Sequence, residues 1–362
     1  MEVYTVTTSD HEIKVGEIFN ELANFLKAYD FSKHIVFLDE NTHKYCYPVF
    51  QEKMENLGIN FHTVIIQSGE EQKNLQTCEY LWDQLTSLNA DRNSLVINLS
   101  GGVLSDMGGF VASAYKRGVA FINIPTTLLS MVDASLGGKL GVDFKGLKNH
   151  IGLFKNPIQV FIYPGFLKTL SNRELLSGFA EILKHGLIAD NTYFNRVKNA
   201  GNPLKIKEEL WKDFVSKSVE IKNRIVESDP SEANQRKILN FGHTAGHAIE
   251  SWSFNTNEPL IHGEAVAIGM IIELYLSAMK LGLREETVSN VTDFIFEHFP
   301  YYSQIHNAAT EQLINSMRQD KKNRNGNILF TLLEETGKAR YDIPVKEQDI
   351  IEGINYYLNY TR

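Results

Sequence analysis

Short apolar runs alternate with stretches of helical spacing along the first half of the chain. The runs have the length and the β-branched content of buried strands, and they cover residues 35–38, 61–66, 95–99 and 119–124. Between the second and third runs, apolar side chains recur every three or four residues from Leu75 to Leu85, which predicts an amphipathic helix. Such alternation predicts an α/β domain with a Rossmann-like, mostly parallel sheet.

The pattern changes near Pro164. Ser171 and Glu174 have the spacing of a capping box, which predicts a helix that begins at about residue 172. Long helical periods follow, for example over 265–281, and a polar turn at 323–327 precedes one predicted late strand at 328–332. We therefore predict an α/β domain over 1–168 and a mainly α-helical domain over 169–362, with a ligand site in the cleft between them.

Composition and charge narrow the class of protein. Hydrophobic residues make up 43% and charged residues 22%, as in ordinary soluble enzymes, and the net charge of −8 argues against a nucleic-acid partner. Cys46 and Cys78 suggest neither a disulfide framework nor a metal motif. The beginning of the chain does not resemble a signal peptide, and no apolar run is long enough to cross a membrane. We expect a cytoplasmic enzyme without a membrane partner.

Polar clusters follow the ends of four predicted strands. They contain Asp39, then Glu70 with Lys73, then the glycine-rich turn from Ser100 to Asp106, then Thr126 and Thr127. Ligands of open α/β sheets bind at the carboxyl ends of the strands, and a glycine-rich helix start suits a phosphate. The turn lacks the G-x-G-x-x-G spacing, so by itself it also fits a plain helix start capped by Asp106. The four clusters together favour a nucleotide site.

Histidines with a metal-ligand spacing occur in the second half. His243 and His247 are four residues apart and therefore predict one helical face, and His262 and Glu264 follow. Imidazole and carboxylate groups are common zinc ligands, and a catalytic zinc ion has three protein ligands and an open position. A helix whose histidines only hydrogen-bond their neighbours is the alternative. The upstream segment with Glu181, Lys184 and His185 favours the metal site.

Basic residues accumulate in motifs although the chain is acidic. Arg236, Asn240 and His243 are spaced at about one turn each, which predicts one shared helical face. Any single lysine also fits a solvated surface charge, but the grouping favours an anionic small molecule as the ligand. The lysines of this set are Lys139, Lys148, Lys184, Lys222, Lys321 and Lys322.

Taken in order, these motifs resemble the 3-dehydroquinate synthase family over nearly the whole chain. The matching segments are 101–110, 117–118, 124–129, 132–139, 148–152, 178–186, 242–250 and 262–266. The wider group of sugar-phosphate cyclases shares the metal and NAD motifs, and metal-dependent polyol dehydrogenases share them more distantly.

The resemblance implies a lyase of the shikimate pathway, which supplies chorismate and the aromatic amino acids. It implies that 3-deoxy-arabino-heptulosonate 7-phosphate is converted to 3-dehydroquinate and phosphate by transient oxidation with NAD, β-elimination, re-reduction and intramolecular aldol closure. It also implies NAD and a divalent metal, Zn²⁺ or Co²⁺, as cofactors. A homodimer is implied too, in which Arg117 reaches the site of the neighbouring subunit.

The resemblance also implies roles for individual residues. The metal ligands would be Glu181, His243 and His262. The substrate would contact Lys139, Asn149, Lys184, Lys222, Arg236, Asn240, His247 and one of Lys321 or Lys322. NAD would contact Asp39, Glu70, Lys73, Gly101, Gly102, Val103, Asp106, Thr126, Thr127, Asp133, Lys148 and Thr169.

One loop departs from the family pattern, because Ser100 and Ser105 stand where glycines are usual. A serine held at positive φ would cost about 1 kcal/mol, which would weaken the NAD site slightly.

Related activities compete with the synthase interpretation. Arg236 and Asn240 stand at positions that favour a substrate carboxylate, which argues against a 2-deoxy-scyllo-inosose synthase but not against an amino-dehydroquinate synthase. A net polyol dehydrogenase would not need the lysines and the arginine that suit an anionic substrate. A non-catalytic metal- or nucleotide-binding protein would not need the complete set of candidate catalytic residues.

Overall fold

A computed structural model describes residues 3–145, 147–305, 307–318 and 327–360. The chain divides into two compact units. The first unit is Met1–Ser171 with Lys207–Asn223, and the second unit is Asn172–Ile206 with Arg224–Arg362. The predicted boundary after residue 168 assigns 207–223 to the second domain, whereas this segment belongs to the first unit. A local pattern predicts that the segment is helical but not which core it packs against.

The strands and helices have the following bounds. The strands are β1 (Tyr4–Thr7), β2 (Glu12–Val15), β3 (His34–Asp39), β4 (His62–Ile66), β5 (Leu95–Ser100), β6 (Ala120–Pro125), β7 (Lys139–Phe144), β8 (Leu147–Phe154), β9 (Val160–Ile162), β10 (Ile328–Glu335) and β11 (Lys338–Val345). The α-helices are α1 (Phe19–Ala28), α2 (Glu40–Tyr45), α3 (Tyr47–Glu55), α4 (Leu75–Ser87), α5 (Gly102–Ala114), α6 (Asn172–Ala189), α7 (Asn191–Asn199), α8 (Glu208–Ser228), α9 (His243–Ser253), α10 (His262–Leu281), α11 (Glu285–His298), α12 (Asn307–Arg318) and α13 (Glu347–Asn359).

The first unit is built on a sheet with the strand order β1-β2-β9-β6-β5-β3-β4. The β1–β2 pair is antiparallel, and the other pairs of this sheet are parallel. The four strands and the helix predicted from the apolar pattern are present. The predicted mostly parallel α/β fold is therefore confirmed for this unit.

Helices α4 and α5 cover one face of this sheet. Leu81 and Leu85 of α4 and Met107 and Val111 of α5 are buried in one cluster with side chains of β3, β4 and β5. These side chains lie on one face of each helix and pack against alternate side chains of the strands. Burial of each such side chain contributes about 1.5–3 kcal/mol to the free energy of folding. This packing places the beginning of α5 directly after the carboxyl end of β5.

The hairpin of β7 and β8 is an element that the apolar pattern did not predict. Its strands pair antiparallel, with an irregular register between Val142 and Phe144. Most of β8 is exposed, including Leu147 and Phe154. The strand therefore lacks the apolar alternation on which a sequence-based prediction depends.

The second unit is mainly helical, as predicted. Its predicted late strand is β10, but the prediction of a single strand is wrong because β11 pairs with it antiparallel. Gly337, at φ 90°, lies in the tight turn between them. The turn predicted at 323–327 lies almost wholly outside the described residues.

Helices α6 and α10 approach each other more closely than side chains would allow. A Cβ atom on Gly263 would lie 2.1 Å from the backbone oxygen of Ser177. The Gly263 N–H donates to Ser177 Oγ at 3.0 Å. The close approach therefore also provides an acceptor for one of the N–H groups at the beginning of α10. The glycine after His262 thus fixes the distance between these helices.

Among the described helices, none combines the length and the apolar character that a membrane crossing requires.

Gly263→Ala should push α6 and α10 apart. We expect the free energy of unfolding to fall by about 2 kcal/mol or more, as in overpacked cores, measured by urea unfolding. Gly282→Ala is the control, because Gly282 has open space around it and only a positive φ of 74°. That variant should lose about 1 kcal/mol. Equal losses in the two variants would contradict the close-approach argument.

Candidate active site

Three helices of the second unit bring a carboxylate and two imidazoles together. Glu181 Oε1 of α6 lies 3.5 Å from His243 Nε2 and 3.6 Å from His262 Nε2. His243 is the first residue of α9, and His262 is the first residue of α10. The two ring centroids are 5.3 Å apart. One oxygen and two nitrogen donors therefore converge on one point.

Glu181 is completely buried, and this burial needs an explanation. Neither carboxylate oxygen accepts a hydrogen bond within the described part of the chain, although Lys184 Nζ forms an ion pair with Oε2. Burial alone would raise the pKa of this carboxyl. The charge of Lys184, together with the neighbouring imidazoles of His243 and His262, outweighs burial and holds the pKa well below its usual range. A buried carboxylate that stays ionised is suited to a cation.

His243 is held with its Nε2 towards Glu181. Its Nδ1 lies 3.0 Å from the carbonyl oxygen of Phe241, which can only accept, so the proton is on Nδ1 and the lone pair is on Nε2. Burial, reinforced by the charge of Lys184, lowers the pKa of His243 well below its usual range. The imidazole is therefore neutral, as a metal ligand must be.

The turn before His243 is fixed by Gly242, which has φ 79° and separates α9 from the preceding segment. The buried carboxylate of Glu273 accepts from the N–H groups of Gly242 and Ala245, at 2.6 and 3.2 Å. Donors at a helix N-terminus need such acceptors. The first turn of α9, and with it His243, is thereby held in place.

His262 is held from two directions. Its Nδ1 lies 3.5 Å from Glu250 Oε2 of α9. Burial opposes the charged imidazole, but the neighbouring carboxylates of Glu181 and Glu250 raise the pKa of His262 to about 9. The beginning of α10 is clamped by Glu264, which accepts from Arg173 Nε and Nη2 at 2.6 and 2.7 Å and from the Ile261 N–H at 3.0 Å.

His247 lies one turn after His243, so the predicted shared face of α9 is present. Its ring centroid is 5.0 Å from that of His243 and 5.7 Å from that of His262, and the residue is exposed. Donor atoms of these three histidines lie within 4.8 Å of one another, so they form a second group that could hold a metal. His247 therefore lies beside both His243 and His262.

The prediction that Arg236, Asn240 and His243 share one helical face is wrong. Arg236 and Asn240 belong to a 3₁₀ helix over Gln235–Asn240, and Gly242 interrupts the chain before α9. A helical period cannot continue through a residue at positive φ.

The loop before this 3₁₀ helix wraps around one carboxylate. Asp229 accepts from the N–H groups of Ala233, Asn234 and Arg236 at 2.7–3.1 Å. Arg236 is buried, and its Nη1 donates to the carbonyl of Pro230 at 2.7 Å. The guanidinium is thus fixed by the backbone of its own loop.

Glu232 is a residue that the sequence motifs did not indicate. It has φ 58°, and its Oε1 accepts from Asn240 Nδ2 at 2.9 Å. It fixes which edge of the Asn240 amide is available to a ligand. Glu232 lies within the same acidic loop, but nothing in its spacing pointed to Asn240.

In the first unit, the predicted nucleotide residues follow neighbouring strands. Asp39 ends β3, Glu70 follows β4, Gly101 follows β5 and Thr126 follows β6. These strands are adjacent in the order β6-β5-β3-β4, and they are parallel, so the four positions lie along one edge of the sheet. This is the edge at which open α/β sheets bind ligands.

The beginning of α5 has the properties of a phosphate site. Its N-cap residue Gly101 provides no side-chain cap, so the first N–H groups are available. A Cβ on Gly101 would lie 3.2 Å from Thr127 Cγ2, and one on Gly102 would lie 3.1 Å from Ala134 Cβ. Thr126 Oγ1 is buried and has no partner among the described residues. The turn thus has free donors where a larger side chain would be crowded.

Ser100 and Ser105 do not strain this turn, because neither has a positive φ. Both are buried, and their hydroxyl oxygens are 3.3 Å apart in a hydrogen bond that joins the end of β5 to the first turns of α5. The expected strain at these positions is therefore absent.

Two lysines of the first unit are ion-paired beside this edge. Lys73 Nζ donates to Asp106 Oδ2 at 2.7 Å, and Lys222 Nζ donates to the Asp133 carbonyl and Oδ1 at 2.6 and 2.5 Å. Burial opposes the charge of Lys73, but Asp106 and other nearby carboxylates keep its pKa above the usual value. Both lysines are thus positioned by carboxylates.

The β7–β8 hairpin carries Lys139, Lys148 and Asn149. Lys148 Nζ lies 3.7 Å from Glu70 Oε1, which joins two predicted NAD residues. Asn149 has φ 50°, and its backbone N–H donates to Asp143 Oδ1 at 2.7 Å.

The remaining predicted residues lie on other segments or outside the described residues. Thr169 ends a 3₁₀ helix over Pro164–Thr169 and donates to the Phe166 carbonyl at 2.7 Å. Arg117 is exposed at φ 72° after the end of α5, about 20 Å along the helix from the glycine-rich turn. Lys321 and Lys322 lie outside the described residues.

Comparisons with known proteins agree with these features. The family described as "3-dehydroquinate synthase N-terminal" matches residues 63–177, and the family described as "3-dehydroquinate synthase C-terminal" matches residues 178–323. A 3-dehydroquinate synthase of Parabacteroides distasonis is 40% identical over 343 residues, which are 94% of this chain and 96% of that protein.

Solved structures show the same fold. A 2-deoxy-scyllo-inosose synthase complexed with carbaglucose-6-phosphate, NAD⁺ and Co²⁺ is similar with a TM-score of 0.85 and 24% identity, covering 98% of this chain and 99% of the other. The 2-epi-5-epi-valiolone synthase of Streptomyces hygroscopicus subsp. jinggangensis, with NAD⁺ and Zn²⁺ bound, has a TM-score of 0.85, 25% identity and 99% coverage of both chains. The two halves of this chain, its motifs and its near-full-length relative all lead to one conclusion: it belongs to the 3-dehydroquinate synthase family.

Proposed function

We propose that this enzyme converts 3-deoxy-arabino-heptulosonate 7-phosphate to 3-dehydroquinate and phosphate, with NAD and a divalent metal as cofactors. The observation that carries the proposal is the buried Glu181 carboxylate, which faces two imidazoles in a chain that is 40% identical to a 3-dehydroquinate synthase. This cluster has the donor types of a catalytic zinc site.

Glu181, His243 and His262 would hold the metal. The buried carboxylate of Glu181 and the fixed Nε2 lone pair of His243 favour this set over the three histidines, because a three-histidine site would leave the buried carboxylate unexplained. When bound, a divalent metal lowers the pKa of hydroxyl groups on the substrate. Lys184 pairs with the carboxylate and keeps it ionised.

The strand-end edge of the first unit would hold NAD. The free N–H groups at the beginning of α5 suit the diphosphate, and the unpartnered hydroxyl of Thr126 offers a further contact. Asp39 caps α2 through Oδ1, and its carboxylate is at the position that suits ribose hydroxyls. When bound, NAD would accept a hydride and return it, so no NAD is consumed overall.

Charged side chains would hold the two ends of the substrate. Arg236, fixed by its own loop, suits the carboxylate together with Asn240. Lys222 would be a further cation for the carboxylate. Lys139, Asn149 and one of Lys321 or Lys322 would bind the phosphate. An imidazole nitrogen of His247 would move a proton, because histidine titrates near neutral pH. Holding both ends of the opened sugar favours the ring closure.

Arg117 supports a homodimer. It lies at the far end of α5 from the glycine-rich turn, so it would act in a neighbouring subunit. The backbone at this position is unusual, because Lys116 and Arg117 are adjacent non-glycine residues that both have positive φ.

A 2-deoxy-scyllo-inosose synthase is the second candidate, because one such enzyme has the same fold. Its substrate class lacks the carboxylate that a buried, backbone-fixed arginine would recognise. A hexose 6-phosphate is therefore the informative competing substrate.

The activity itself can be measured directly. With NAD and Zn²⁺ present, we expect phosphate and 3-dehydroquinate in equal amounts from the heptulosonate phosphate, without accumulation of NADH. A chelator should abolish turnover, and added Zn²⁺ should restore it. Phosphate released from glucose 6-phosphate instead would favour the inosose synthase, and steady accumulation of NADH would favour a dehydrogenase.

His262→Ala removes one proposed metal ligand. We expect metal content, measured by elemental analysis after desalting, to fall from about one ion per chain to near zero, together with turnover. His43→Ala is the matched control, because His43 is an exposed histidine of the first unit. Retention of about one ion per chain by His262→Ala would overturn the ligand assignment.

Arg236→Lys keeps the charge but loses the planar pair of donors. We expect the KM for the heptulosonate phosphate to rise by about tenfold to a hundredfold, as for the loss of a charged hydrogen bond. Arg284→Lys, on an exposed residue, should leave KM unchanged. A wild-type KM for Arg236→Lys would remove the carboxylate role.

A further inference from the structure

We propose that Glu250 is a positioning residue of the metal site, which holds the His262 ring and its tautomer so that Nε2 faces the metal. The inference rests on the proposed metal site. It assigns a role to a carboxylate that was not among the predicted site residues.

The placement of Glu250 follows from the helical repeat of α9. His243, His247 and Glu250 are separated by four and three residues, so they lie along one face of the helix. Glu250 is only 6% exposed. A carboxylate so deeply buried requires a positively charged or hydrogen-bonding neighbour.

The imidazole of His262 has a carboxylate at each of its two nitrogens. Glu250 Oε2 lies 3.5 Å from His262 Nδ1, while His262 Nε2 lies 3.6 Å from Glu181 Oε1. A proton held on Nδ1 by Glu250 leaves the lone pair on Nε2 when the ring is neutral. The carboxylate also makes that nitrogen a stronger donor to a metal.

His243 provides an internal comparison. Its Nδ1 donates to a carbonyl oxygen, that of Phe241, at 3.0 Å, and its Nε2 also faces Glu181. Both imidazoles are therefore held by an oxygen acceptor behind the ring. For His243 the acceptor is backbone and cannot be removed by mutation, whereas for His262 it is a side chain.

The neighbouring carboxylate Glu264 does not serve this purpose. It is as buried as Glu250, at 6% exposed, but it accepts from Arg173 and from the Ile261 N–H. Glu264 fixes where α10 begins, and Glu250 fixes how the first side chain of α10 is turned.

The test is the affinity of the purified protein for Zn²⁺ and Co²⁺, measured by competition with a chromophoric chelator. Glu250→Gln keeps the size of the side chain but removes the charge. We expect the metal Kd to rise tenfold to a hundredfold, as is typical when a partner behind a ligand is lost. Glu250→Asp, which keeps the charge on a shorter stem, should give a smaller rise.

Two further readouts separate positioning from a general structural effect. The thermal midpoint of the metal-free protein should be close to that of the wild type, while the increase on adding metal should shrink. The visible spectrum of bound Co²⁺ should change, because it reports the ligand geometry. Asp349→Asn is the control, since it removes an ion-paired carboxylate from the unit without touching the histidines.

The outcomes distinguish the two proposals. A wild-type Kd and Co²⁺ spectrum in Glu250→Gln, with metal lost in His262→Ala, would overturn the role of Glu250 and leave the metal site standing. If Glu250→Gln and Asp349→Asn weakened metal binding equally, the role of Glu250 would also be overturned, because loss of charge alone would then explain the effect. Metal retained by His262→Ala would remove the metal-site assignment itself. If Glu250→Gln does not fold, the Kd and Co²⁺ spectrum of Glu250→Asp decide, and wild-type values there would overturn the proposal.

Discussion

The buried carboxylate of Glu181 is the constraint on which the candidate site depends. Glu181 is fully enclosed, and Lys184 and the imidazoles of His243 and His262 are the neighbours that hold its pKa below the usual range. Such an arrangement is stable only if the neighbouring charges stay within a few ångströms. The beginnings of α9 and α10 must therefore be held against the middle of α6, which is the task of Gly263, Glu264 and Glu273.

In the first unit, polar side chains and backbone N–H groups, rather than a buried ionised carboxylate, are brought together at the predicted site. Polar groups are placed at the ends of four adjacent strands, and the uncapped beginning of α5 points its N–H groups to the same edge. The lysines nearby are fixed by carboxylates, as in Lys73 with Asp106 and Lys222 with Asp133. In both units, neighbouring carboxylates, imidazoles or backbone groups fix the charged side chains, which favours a preorganised site.

The elements with a strong apolar period were predictable, and those without one were not. Strands β3 to β6 follow from short apolar runs, helices α4 and α10 from apolar side chains at helical spacing, and the beginning of α6 from its capping-box spacing. The β7–β8 hairpin is too exposed to show such a repeat, and segment 207–223 shows one without indicating its core. The expected single helix through Arg236, Asn240 and His243 failed because one backbone conformation, at Gly242, interrupts it.

The sequence by itself determined the kinds of donor, their order along the chain and the family, because these depend on residue identity and spacing. It also placed His243 and His247 on one face, since a helical repeat is local. The family resemblance implied that Glu181, His243 and His262 come together, but only the tertiary structure gave the distances between them and the contacts of Glu250 and Glu232 with other site residues. Those distances join segments far apart in the chain, and close packing of helices, rather than local spacing, sets them.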